Sequence, residues 1–97
     1  MEVRIQNIHF DASQKLVDFI NTKANRFARR YPTLEYVDFK LTLIKPQTAH
    51  NKEARIKALI PHNGELTAAK TADTFEEAVT LALEAIDVQL EKIKDRM

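Results

Sequence analysis

Apolar and polar side chains alternate with two different periods along this chain, and the switches between them mark out its elements. In residues 2–8, EVRIQNI, Val3 and Ile5 fall on one side and Arg4 and Gln6 on the other, the period of a strand. After FDAS the period lengthens. Leu16, Ile20, Phe27 and Tyr31, with Val17 and Ala24, recur at helical spacing from Ser13 to Tyr31. Ser13 or Asp11 can cap this helix by accepting a free backbone N–H, and Pro32 ends it. Residues 36–45, YVDFKLTLIK, alternate again, with Val37, Phe39, Leu41 and Leu43 inward and Asp38, Lys40 and Thr42 outward. A polar stretch, PQTAHNK, separates them from residues 53–60, where Ala54, Ile56, Ala58 and Ile60 share one side. Asn63-Gly64 is a strong hairpin signal, so ELTAAKTA is the returning strand. Residues 74–96 return to helical spacing through Phe75, Ala78, Val79, Ala82, Leu83, Ile86, Leu90 and Ile93, with Asp73 or Thr74 as the cap.

The order is β-α-β-β-β-α, which predicts an α+β fold. A helix joins the first two strands, so they should run parallel, while the remaining strands form an antiparallel meander. One four-stranded sheet follows, with two helices on one face covering the inward side chains. The length, 97 residues, suits one domain, 1–97.

Composition narrows the function classes. There is no cysteine, which excludes disulfides and thiolate metal sites and suits a cytoplasmic protein. No apolar run is long enough for a membrane span, and MEVRIQN is too polar for a secretory signal. His9, His50 and His62 are isolated at strand ends or turns and lack metal-ligand spacing, so neither a metal nor another cofactor is expected. No Gly-rich phosphate loop and no nucleophile–base pattern is present, which argues against an enzyme.

The net charge is only +1, so any electrostatic function depends on how charge is distributed. The first helix carries five cations, Lys15, Lys23, Arg26, Arg29 and Arg30, against one acid, Asp18, a net of +4. At about 100° per residue the five fall within an arc of roughly 120° beside the apolar stripe. Arg29 and Arg30 suit the negative end of the helix dipole, but Lys15 and Lys23 lie too far back for that account. An anion-binding ridge explains all five. Lys45 and Lys52, flanking the loop between the second and third strands, could extend it. The second helix is opposite in sign, with six acids and three bases from Thr74 to Met97, a net of −3. Glu76, Glu77, Glu84, Asp87 and Glu91 are expected opposite its buried stripe. The near-neutral total thus conceals a dipolar chain.

Taken in order, these segments resemble the short ribosome hibernation promoting factors, the family that includes the ribosome-associated inhibitor protein Y and whose members are often labelled sigma-54 modulation proteins. The likeness runs over nearly the whole chain. It is carried by VRIQN, by DAS before LVDFI, by TKANRFARRY, by IKPQ, and above all by PHNGELTAAK followed by DTFEEAVTLALEAIDVQLEKIKDR. The resemblance implies a fold similar to double-stranded RNA-binding domains. It implies binding to the small ribosomal subunit and its rRNA, in the channel used by messenger and transfer RNA. Such occupancy blocks translation and preserves idle ribosomes in stationary phase or stress, without catalysis. Ending at Met97, the sequence is expected to lack the C-terminal domain of the long members.

The resemblance matches Lys23 and Arg26 to cationic positions of the family's first helix, and Lys92 to one near the end of the second. The chain departs from the pattern at Ala85 and Val88, which stand where relatives are usually cationic. With Leu81 they form a further apolar strip that either packs on the first helix or serves self-association or another protein partner. Two function classes therefore stand: an RNA-docking ribosome silencer, and a protein-interaction module working through the second helix.

Overall fold

Ser13 begins the first helix as expected: its Oγ accepts the backbone N–H of Leu16 at 3.1 Å, a cap contributing about 1 kcal/mol. Asp11 plays no part in that bond. At the far end Tyr31 leaves helical geometry at φ −128°, as a residue before proline tends to, while its N–H still reaches the Phe27 carbonyl. Leu16, Ile20, Ala24 and Phe27 are the buried residues between these ends. In the computed structural model, residues 1–44, 49–61 and 64–95 are described. They form β1 (Glu2–Ile8), α1 (Gln14–Arg30), β2 (Tyr36–Leu43), β3 (Lys52–Ile60), β4 (Gly64–Ala72) and α2 (Phe75–Asp95).

The sheet runs in the order β1-β2-β3-β4. β1 pairs with β2 in parallel, and β2–β3 and β3–β4 pair antiparallel, as the alternation and connections predict. β2 stops at Leu43, short of the expected limit at Lys45, and Lys45 itself lies outside the described residues. Beyond the strand the Ile44 N–H is still bonded to the Asn51 carbonyl at 2.8 Å, which holds the two ends of the connection together. Gly64 opens β4 at φ 77°, a backbone setting that glycine adopts without strain; its turn partner Asn63 lies outside the described residues.

One face of the sheet is buried beneath both helices. Val37, Phe39, Leu41, Ala54, Ile56 and Ala58 have no exposed surface, and they share one core with the stripes of α1 and α2. Leu43, expected inward, is only partly buried against that core, as are Val3, Ile5 and Ile93. Thr74, not Asp73, caps α2, through a 3.1 Å bond from the Glu77 N–H to its Oγ1. Asp73 instead accepts from the His50 N–H at 2.9 Å. Phe10 and Phe75 stack with ring centroids 4.2 Å apart, tying the β1–α1 loop to the start of α2.

Phe39 is the largest of the fully buried side chains. Phe39→Ala should therefore destabilise the fold by about 3–5 kcal/mol, read as a shift in the urea midpoint with an unchanged slope.

Candidate nucleic-acid interface

The basic residues of α1 do not all meet the same surroundings. Lys15, Arg26 and Arg29 are exposed, and among the described residues they make no hydrogen bond or ion pair. Gln14 donates to the helix's one acid, Asp18, at 2.8 Å, which occupies that carboxylate locally. Lys23 is half-buried, with its Nζ 5.5 Å from the centroid of the Phe19 ring.

Arg30 is different. Its guanidinium donates to Asp87 at 3.0 Å and to Glu91 at 2.6 Å, forking across to α2. The Tyr31 hydroxyl donates to the other oxygen of Asp87. Burial, then this bond, pushes the Tyr31 phenol up to about 12 from its ordinary value of 10.0. Asp87 and Glu91 therefore do not stand away from α1, as the helical wheel suggested. They face its C-terminal end and neutralise part of the ridge.

Lys23, Arg26 and Arg30 line a recess of about 220 Å³ with Phe27, Thr80, Leu83, Glu84 and Asp87. Its two sides come from α1 and α2 and carry opposite charge. Lys52, at the start of β3, is half-buried and donates to the Asn51 side chain at 2.8 Å. Lys92 is exposed near the end of α2, with no hydrogen bond or ion pair among the described residues. Of the candidate contacts on the two helices, Lys15, Lys23, Arg26 and Arg29 on α1 and Lys92 on α2 thus have no acid paired to them among the described residues.

Leu81 and Val88 are 37% and 53% exposed, and Ala85 is half-buried. None of the three lines the recess between the helices, and the exposure of Leu81 and Val88 means that these two are not packed away beneath α1. His9 is exposed at φ 67°, and His50 has its Nδ1 3.5 Å from Asp73. His62 lies outside the described residues. No three of the described His, Asp and Glu residues converge in a way that could hold a metal ion. No helix is long and apolar enough to cross a membrane, among the described residues.

A second charged feature, not singled out by sequence, lies on the uncovered face of the sheet. Gln6, Asp38, Lys40, Arg55 and Lys57 line a recess of about 260 Å³ there. The alternation of β2 pointed Asp38 and Lys40 outward, but only strand register brings Arg55 and Lys57 beside them.

The family model described as sigma 54 modulation protein / S30EA ribosomal protein matches residues 3–97. No curated protein matches the chain by sequence. Among solved structures, a ribosomal subunit interface protein from Coxiella burnetii superposes with a TM-score of 0.84 at 17% identity, covering 98% of this chain and 99% of that one. The N-terminal domain of Thermus thermophilus Protein Y superposes with a TM-score of 0.77 at 17% identity, covering 96% and 99%. At that identity the likeness is one of fold.

The Tyr31–Asp87 bond has a defined pH signature. A phenol raised on folding contributes stability that is fully present below pH 10.0 and lost as pH climbs through about 12. Tyr31→Phe should cost about 1–2 kcal/mol at neutral pH. Urea titrations across the alkaline range should show its deficit against the parent shrinking between those two values.

Proposed function

The chain belongs to the sigma 54 modulation protein / S30EA ribosomal protein family, and from that premise we propose that it is a non-catalytic, cytoplasmic, ribosome-binding inhibitor of translation. It docks on the rRNA of the small subunit, in the channel used by messenger and transfer RNA, and keeps idle ribosomes intact in stationary phase or stress. The observation that carries this reading is the α1 ridge. Lys15, Arg26 and Arg29 stand exposed with no acid paired to them among the described residues, and Lys23 lies beside them. The two structural relatives are a ribosomal subunit interface protein and a Protein Y domain, which agrees.

The mechanism is electrostatic and steric. Arginines fork to phosphates and lysines act as point charges, so the ridge grips the RNA backbone without reading its sequence. The bulk of the domain then excludes messenger and transfer RNA. Arg30 contributes less than its position on the wheel suggests, because Asp87 and Glu91 already hold it. Lys45 and Lys52 remain proposed contacts at the β2–β3 connection, and Lys92 one on α2.

Exposure of Leu81 and Val88 favours a second reading, in which α2 joins two copies of the chain or holds another protein. If it joins copies, light scattering at rising concentration detects a dimer, and Val88→Lys returns it to monomer. A monomer throughout rejects self-association and leaves the strip to other partners.

For the main reading, Lys23→Glu with Arg26→Glu should abolish co-sedimentation with ribosomes while the circular dichroism spectrum stays unchanged. Four phosphate contacts give a slope of log affinity against log salt of roughly −3 to −3.5 in the parent. A double variant that still co-sediments with the parent's slope makes the ridge a solvated helix face.

A further inference from the structure

We propose that the uncovered face of the sheet carries a second anion site, in which Lys40, Arg55 and Lys57 hold the phosphate of a ribonucleotide and Asp38 accepts a hydrogen bond from its ribose hydroxyl. The site lies on the opposite side of the sheet from both helices. It does not rest on the ribosome-binding reading.

The strand register assembles it. Lys40 of β2 stands directly opposite Arg55 of β3, and Asp38 opposite Lys57. Gln6 of β1 stands opposite Lys40 on the other side. Residues facing each other across strands have Cβ atoms about 4.5–5.5 Å apart, and like charges so placed destabilise a sheet. Lys40 and Arg55 are such a pair, with Lys57 two residues along the same strand. Among the described residues, none of the three forms an ion pair or hydrogen bond. Asp38, which lines the same recess, has its Oδ1 buried with no hydrogen-bond partner. Three exposed cations without a protein partner and one carboxylate with a buried, unbonded oxygen thus share the walls of one recess of about 260 Å³.

The charges select the ligand. Three cations and one carboxylate leave an excess of two positive charges, which a phosphate matches. A fully ionised phosphate offers only acceptor oxygens to the Asp38 carboxylate, and a ribose hydroxyl close to the phosphate supplies a neutral donor at any pH. Gln6 can donate or accept beside it. Arg4, the neighbour of Asp38 on β1, bonds Glu2 through Nε and Nη2, both at 3.1 Å, lies 4.8 Å from the centroid of the Tyr36 ring, and also feels the charge of Asp38. It is not among the residues that line the recess.

The test uses the purified, ¹⁵N-labelled chain without ribosomes, so its failure would leave the α1 ridge untouched. Titration with 5′-AMP should shift the amide resonances of Gln6, Asp38, Lys40, Arg55 and Lys57. Lys40→Gln with Arg55→Gln should weaken binding about tenfold or more, the size of one lost hydrogen bond to a charged group. The 2′,3′-dideoxy analogue should bind the parent more weakly than AMP, and Asp38→Ala should remove that difference. A short oligoadenylate that binds this face more tightly than AMP assigns the site to an RNA strand; equal affinity assigns it to a free nucleotide. Either result sustains the site. Shifts confined to α1, or a glutamine double variant that binds as the parent does, would overturn it. Equal affinity for AMP and its dideoxy analogue would overturn the role given to Asp38.

Discussion

A strand directs alternate side chains to opposite sides, so this four-stranded sheet has one apolar face and one polar face. Burying the apolar face requires both helices on the same side, because neither helix alone covers β1 through β4. That constraint organises the rest. Val37, Phe39, Leu41, Ala54, Ile56 and Ala58 are fully buried because α1 and α2 close over them together. The capping bonds of Ser13 and Thr74 and the stacking of Phe10 on Phe75 then hold the helix starts where the core needs them.

Packing the two helices side by side also decides the electrostatics. Their net charges are opposite, so bringing them together sets acids of α2 against bases of α1. Arg30 forks between Asp87 and Glu91, and Tyr31 joins through Asp87. These groups are partly exposed, and surface ion pairs contribute little individually, about 0–1 kcal/mol. Their larger effect is on the charge presented to a partner. Arg30, the last residue of the ridge, is screened by α2, while Lys15, Arg26 and Arg29 remain open to an anion.

The uncovered face follows from the same constraint. Residues that cannot enter the core must lie on the other side of the sheet, and here several are cationic. In the proposed ribosome-bound state such a domain would have an RNA-seeking surface on a helix and a phosphate-seeking recess behind it. A body placed between RNA elements could use both. The two surfaces differ in kind. The helix ridge is a row of solvated charges along one helix, while the sheet recess is lined by five side chains and, in our proposal, takes one nucleotide unit.

Local covalent geometry made much of this legible in the chain itself. Period-two and helical spacing depend only on backbone form, so the six elements, the inward residues of β2 and β3, and the arc of cations on α1 could all be read from residue order. Segment order then implied the parallel β1–β2 pair. The resemblance to hibernation factors, later matched by the family model over residues 3–97, added what periodicity could not. Other features needed the folded chain. That Arg30 meets Asp87, 57 residues away, depends on how α1 and α2 lie against each other, which no helical wheel contains. Exposure of Leu81 and Val88 depends on which side of α2 the other helix occupies. The grouping of Lys40 with Arg55 and Lys57 depends on register, and a slip of one residue would have turned Arg55 and Lys57 to the opposite face. Side-chain direction along an element is a local property of the chain, whereas the meeting of charges from different elements is set by packing, and packing is decided by the whole fold at once.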